Sequence, residues 1–95
     1  MKIKQKAQAG TFESGDIMIL IEPVPSGAGR EIIIDSTVAL QFGDDIKQLI
    51  ISKLDEFKVQ DVHLMAKDKG ALEPTIKARV ETALIRSANQ QEGTL

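Results

Sequence analysis

The chain has 95 residues, no cysteine and a formal net charge of −2 from 12 basic and 14 acidic side chains. That length suits a single small domain with one modest core. The lack of cysteine excludes disulfides, thiolate zinc sites and cysteine nucleophiles, and interleaved charges of near-zero sum are a poor match for the basic stripe that nucleic acids require.

The N-terminus, Met1-Lys2-Ile3-Lys4-Gln5-Lys6, is cationic but has no apolar stretch behind it, so it is not a secretory signal. The longest apolar run, Ile17 to Ile21, is far too short to cross a bilayer. These features read as a soluble cytoplasmic protein with neither membrane nor nucleic acid as a partner. Tyrosine and tryptophan are absent, which leaves three phenylalanines as the only aromatic platforms.

Residues 1–15 carry few apolar side chains and no clear period. They read as a mobile or loosely docked arm, with brief strand pairing around Ile3 and Phe12 as an anchor to the body. Asp16 to Glu22 is isoleucine-rich and reads as a strand. Pro23, Pro25, Gly27 and Gly29 form a turn-rich loop. Arg30 to Asp35 is a second strand, expected to close an antiparallel hairpin with the first. Ser36 has the chemistry of a helix N-cap. Val38, Phe42, Ile46, Leu49, Ile50, Leu54 and Phe57 follow at helical spacing. Gly43 interrupts that pattern at some cost in propensity, which moves the expected helix start to Asp44, where acids suit the dipole. Val62, Leu64 and Ala66 alternate as a third strand, and Lys67 to Gly70 turns the chain. Pro74 fits the first turn of a second helix with Leu72, Ile76, Val80, Ala83 and Leu84 as its stripe.

The expected fold is a small two-layer α+β domain over 16–90, in the order β-β-α-β-α, with residues 91–95 as a frayed tail. Two helices would cover one face of a sheet of three or four strands. The isoleucine-rich strands do not alternate, so the second sheet face would also be apolar. Met18, Leu20 and Ile33 fall on it, and a contiguous apolar patch marks an interface with another chain.

The chain is poor in catalytic groups. His63 is the only histidine and has no partner identifiable from the sequence. Asp44-Asp45 suits a helix start and lacks the alternating spacing of a calcium loop, so no metal site is expected. Ser26-Gly27-Ala28-Gly29 links strands and opens no helix, which a phosphate loop would have to do. Lys77, Arg79 and Arg86 alternate with Glu73 and Glu81 as on an ordinary solvated helix face.

One segment stands apart. In Ala9-Gly10-Thr11-Phe12-Glu13-Ser14-Gly15-Asp16 a single hydroxyl sits between two carboxylates beside a glycine. Its residue types suit a turn or cap before a strand. On local chemistry alone that is the leading reading; the other is an attachment point: the Ser14 hydroxyl can form a phosphodiester, Gly15 loosens the backbone, and Glu13, Gly15 and Asp16 can serve recognition by a modifying enzyme.

Ala9-Gly10-Thr11 followed by Glu13-Ser14-Gly15-Asp16 resembles the N-terminal signature of the citrate lyase acyl carrier proteins, the gamma subunits of that complex. Gln41-Phe42-Gly43 with Ile46 resembles their central helix. Asp68-Lys69-Gly70-Ala71-Leu72 and Ala78-Arg79-Val80 resemble their C-terminal part, and the segments keep the family's order over nearly the whole chain. The resemblance implies a non-catalytic carrier and phosphoprotein of citrate fermentation. Ser14 would hold 2'-(5''-phosphoribosyl)-3'-dephospho-CoA by a phosphodiester bond, and the terminal thiol would carry acetyl and then citryl thioesters. It implies as partners an alpha subunit that exchanges the acyl group, a beta subunit that cleaves citryl to oxaloacetate, and a prosthetic-group transferase.

Asp35-Ser36-Thr37 is a rival attachment site, because the all-helical fatty-acid and polyketide carriers attach phosphopantetheine at an Asp-Ser-Leu. Here threonine replaces the leucine and strands surround it. Two other functions stay open: a malonate decarboxylase-type carrier with a similar group, and a noncovalent interaction module using Met18, Leu20 and Ile33.

Overall fold

The computed structural model describes residues 1–36 and 39–88, without the side chains of 39–43. Its elements in chain order are β1 (Ala7–Ala9), β2 (Ile17–Glu22), β3 (Arg30–Ser36), α1 (Ala39–Glu56), β4 (Val62–Asp68) and α2 (Glu73–Ser87). The class is α+β, with four strands in the order β1-β2-β4-β3.

Strand β4 organises the sheet. Its residues alternate between buried and partly exposed along its whole length, the signature of a strand with one face on a core. It runs antiparallel to β2, with Ile17 opposite Asp68 and Ile21 opposite Leu64. It runs parallel to β3, with Ile32 opposite Leu64 and Ser36 opposite Asp68. The expected hairpin of β2 and β3 therefore does not form, because β4 lies between them. Burial gives the reason. Val62, Leu64 and Ala66 are completely buried, which suits a strand flanked on both sides, and α1 is long enough to make the crossover that parallel β3 and β4 require. The glycine-rich loop still contains a tight turn, closed by Ala28 N–H to the Pro25 carbonyl at 3.0 Å, but it bridges strands that are not neighbours. Asp61 Oδ1 holds its far end by accepting the Gly29 N–H at 2.8 Å.

Helix α1 packs on β3, helix α2 packs on β1 and β2, and the helices touch each other. Ile46, Ile50 and Leu54 of α1 meet Ile76, Val80, Ala83 and Leu84 of α2 over the inward side chains of β2 and β4. Spacings of three and four make each set one helix stripe. Burying each such side chain is worth about 1.5–3 kcal/mol. That outweighs the roughly 1 kcal/mol cost of a helical glycine, so α1 has begun by Ala39 and runs through Gly43 instead of starting at Asp44. Asp44 and Asp45 are accordingly exposed inside the helix and not in its first turn. The reading of Ser36 as its N-cap, and the positions of Val38 and Phe42, fall outside what is described. Helix α2 starts as expected with proline in its first turn, but Leu72 precedes it and is 74% exposed, outside the apolar stripe.

The N-terminal segment supplies the fourth strand. Ala7 lies opposite Ile21 and Ala9 opposite Ile19. Pairing is at 7–9, not around Ile3, which is instead buried in the core with Ala9. Lys4 and Gln5 donate their N–H groups to the Ser87 carbonyl. The expected tail, 91–95, lies outside the described residues. Among the described residues no helix is long and apolar enough to cross a membrane.

With both helices on one face, the strand pleat sends Met18, Leu20 and Ile33 to the other. Leu20, Met65 and Ile33 form one row across β2, β4 and β3. Met18 is buried, Leu20 half-buried and Ile33 is 39% exposed.

Candidate functional site

Ser14 occupies the corner of a tight turn. Asp16 N–H donates to the Glu13 carbonyl at 3.0 Å, and Gly15 takes φ +84° at the third position, the conformation that a type II turn demands there. Glu13, Ser14 and Gly15 are all exposed. Among the described residues no group hydrogen-bonds Ser14 Oγ. The space beside Gly15 is open, with no atom within 4 Å of the point a Cβ would take.

This turn is held down from several sides. Gly15 N–H donates to the Lys69 carbonyl at 2.7 Å, and Lys69 N–H donates to the Asp16 carbonyl at 2.9 Å. Asp16 Oδ1 accepts the Ile17 N–H at 2.7 Å and Arg79 Nε at 3.1 Å. Its Oδ2 accepts the Thr11 hydroxyl at 2.7 Å and Arg79 Nη2 at 3.0 Å. Thr11 Oγ1 in turn accepts the Glu13 N–H at 3.2 Å. The Arg79 guanidinium, and next the Thr11 hydroxyl, bring the Asp16 carboxyl down to about 2 from an ordinary 3.8, against the opposing pull of burial. At the other foot of the loop, Gly10 has φ +95°, and a Cβ there would stand 1.8 Å from the Ile17 carbonyl oxygen. Residues 10–17 thus form a closed loop with Ser14 at its tip.

Phe12 lies outside the core and, contrary to expectation, does not anchor the loop there. It is 56% exposed, with Lys67 Nζ 5.6 Å from its ring centroid, a cation–π distance. Of the residues singled out in the sequence, Glu13, Ser14 and Gly15 share one exposed tip, while Asp16 is tucked beneath them and committed to Arg79. Thr11, Lys69 and Arg79 were missed as parts of this site. A threonine so close to an aspartate ahead of a strand is a weak local signal for the first. Nothing in a 63-residue separation announces the Asp16–Arg79 pair.

The other candidates lie elsewhere. His63 does have a partner, Glu31 on the neighbouring strand, but the pair belongs to the opposite end of β4 from Asp68. Lys77 pairs with Glu73 at 3.2 Å on the solvated face of α2. Arg79 leaves that face for Asp16, while Arg86 stays exposed and donates to the Gln8 carbonyl at 2.8 Å. Ser36 Oγ donates to Asp68 Oδ2 at 2.8 Å, and Asp68 is 2% exposed. Among the described residues no group of three or more side chains could hold a metal ion.

No base faces the Ser14 hydroxyl among these contacts, since Asp16 turns its oxygens to Arg79, Thr11 and Ile17. The arrangement offers an accessible hydroxyl on a fixed perch.

Residues 4–87 match the family model described as malonate decarboxylase delta subunit (MdcD), an acyl carrier family. The citrate lyase acyl carrier protein of Vibrio cholerae serotype O1 (strain M66-2) is 45% identical over 91 residues, 96% of this chain and 92% of its own length. The citrate lyase acyl carrier protein of Halothermothrix orenii is 44% identical over 92 residues, covering 97% and 96%. A chain in the crystal structure of a Pseudomonas malonate decarboxylase hetero-tetramer in complex with malonate has the same fold, with a TM-score of 0.74 over 88% of this chain and 84% of that one at 21% identity. Fold and relatives together define an acyl carrier. The chain belongs to the citrate lyase acyl carrier protein family.

Proposed function

We propose that this chain is the carrier subunit of a citrate lyase complex, without bond-breaking chemistry of its own, and that Ser14 Oγ bears phosphoribosyl-dephospho-coenzyme A in a phosphodiester bond. The observation that carries the reading is the exposed Ser14 hydroxyl at the tip of a loop fixed to the domain. Room at this corner supports the reading, since Ser14 is exposed and no atom lies within 4 Å of the point a Gly15 Cβ would take. When attached, it supplies a thiol that holds acetyl and then citryl as thioesters while citrate is cleaved to oxaloacetate and acetate.

The contribution of this chain's own residues is tethering. A flexible arm on a fixed pivot gives the acyl group a high effective concentration at two successive active sites, those of the alpha and beta subunits in the cytoplasm. Ser36 is the poorer acceptor, being half-buried with its hydroxyl engaged by a buried carboxylate. The row of Leu20, Met65 and Ile33, with Met18 beside it, is the surface we assign to the enzyme subunits, since it remains apolar and partly open.

Incubation of the chain with the prosthetic-group transferase and its donor, followed by peptide mass spectrometry, tests this reading. The adduct is expected on the peptide containing Ser14, to vanish in Ser14→Ala, and to survive in Ser36→Ala. Modification that survives Ser14→Ala and disappears in Ser36→Ala reverses the site. A malonate decarboxylase-type carrier is the second reading, favoured by the description of the matching family model. Loaded chain that supports malonate decarboxylation and no citrate cleavage would select it. A chain left unmodified, yet still bound by lyase subunits, would leave the noncovalent interaction module.

A further inference from the structure

We infer that Arg79 is a positioning residue for the loading of Ser14: through Asp16 it holds the loop from Gly10 to Ile17 in shape, and the modifying enzyme meets Ser14 as part of a folded, discontinuous surface. The inference rests on the carrier reading above and adds a residue and a recognition mode to it.

Within the loop's tip the turn rests on one backbone bond, Asp16 N–H to the Glu13 carbonyl. Gly15 has no side chain and Ser14 Oγ makes no bond among the described residues. Order comes from below, where one carboxylate gathers a backbone N–H, a hydroxyl and a guanidinium. Arg79 alone among these comes from another element. Its Nε and Nη2 each take one oxygen of Asp16, the planar two-pronged geometry that arginine offers and lysine does not. The Asp16 side chain is 14% exposed and that of Arg79 is 41% exposed, so the fork closes over the carboxylate from the solvent side. The second tie, between Gly15, Asp16 and Lys69, comes from the end of β4. Three stretches of chain far apart in sequence thus converge under one serine. Asp16 is occupied in this work, which leaves Glu13 as the acid of Glu13-Ser14-Gly15-Asp16 turned to an approaching enzyme.

Losing the fork should lower the fraction of molecules that present Ser14 correctly. An enzyme that binds only the presented form then shows a weaker apparent affinity, scaled by that fraction, with its chemical step intact. Arg79→Ala should raise the KM for transferase loading about tenfold and leave kcat within about twofold. Arg79→Lys, which keeps charge without the two-pronged contact, should fall between wild type and Arg79→Ala. Amide hydrogen exchange at Gly15, Asp16 and Ile17 should speed up in Arg79→Ala, while core amides such as Leu64 and Val80 stay protected. Equal loading kinetics for wild type and Arg79→Ala overturn the positioning role and leave the Ser14 reading standing. A fall in kcat at unchanged KM, with loop exchange unaltered, also overturns it, because Arg79 would then act on the donor and not on the loop. A wild-type chain that is never loaded overturns the carrier reading and this inference with it.

Discussion

Asp16 is the residue where sequence and structure say different things about one side chain. Read locally, it is a recognition charge beside Ser14; in three dimensions it is the clamp below it. Its pH signature follows. The folded carboxyl ionises at about 2 and the ordinary value is 3.8, so its contribution to stability is fully present above about pH 4 and is lost as pH falls through 2. Arg79 is partly solvated, and water screening discounts the pair to about 1 kcal/mol. Asp16→Asn should therefore lower the unfolding free energy by about that amount at pH 7, and the gap from wild type should shrink below about pH 4 and close as pH falls through 2. Urea titrations at several pH values would measure it, and a gap independent of pH would refute the clamp. Gly10 is the second residue of this kind. Gly10→Ala places a methyl group in contact with backbone at a φ that L residues avoid, and strain of this sort costs on the order of 1–3 kcal/mol before any clash is counted. Urea unfolding of Gly10→Ala and Gly15→Ala compares them: both take positive φ, but only the first has no room, so it should lose more.

At the scale of elements, the end of the sheet nearest Ser14 depends on one buried carboxylate. Asp68 ends β4, accepts Ser36 Oγ from β3 at 2.8 Å and the Ala71 N–H at 2.9 Å, and so joins strand, strand and the entry to α2. Ser36→Ala removes a partner from a carboxylate that water cannot reach, at a cost of about 1–3 kcal/mol. Thermal unfolding should register it, and under the carrier reading Ser14 loading should be unaffected because the loop's ties run to the Lys69 backbone and to Arg79. Loss of loading in Ser36→Ala at a temperature where the variant is folded would show that the two ends of this connection are coupled. The helices could be read from their stripes alone, since 46/50/54 and 76/80/84 need only one turn's periodicity. Leu72 misled because it keeps the four-residue spacing of 76, 80 and 84 yet stands at the N-cap, ahead of the helix, and Gly43 misled for another reason. There, local propensity marks a preference of about 1 kcal/mol, and packing of the rest of α1 overrides it.

For the whole molecule, the two-layer arrangement leaves a sheet face that no helix covers among the described residues, with Ile33 an exposed apolar side chain on it. Ile33→Glu should keep the fold, because the residue lies on an edge strand and outside the core cluster. Under the proposed carrier reading it should also weaken co-migration with the lyase subunits in gel filtration by about tenfold, as expected for a charge placed in an apolar contact. Undiminished co-migration would move the subunit interface elsewhere. Much of this protein was legible in its sequence. The α+β class, the two helix stripes, the β4 alternation, and Ser14 as the one hydroxyl flanked by acids and glycine all depend on residues a few positions apart, whose periods and turn chemistry act locally. Strand order, the insertion of β4 between β2 and β3, the use of Ala7–Ala9 as a fourth strand, and the grip of Arg79 on Asp16 were decided only by the tertiary structure. These are pairings between distant segments, chosen by which faces can be buried together, and no local spacing encodes them.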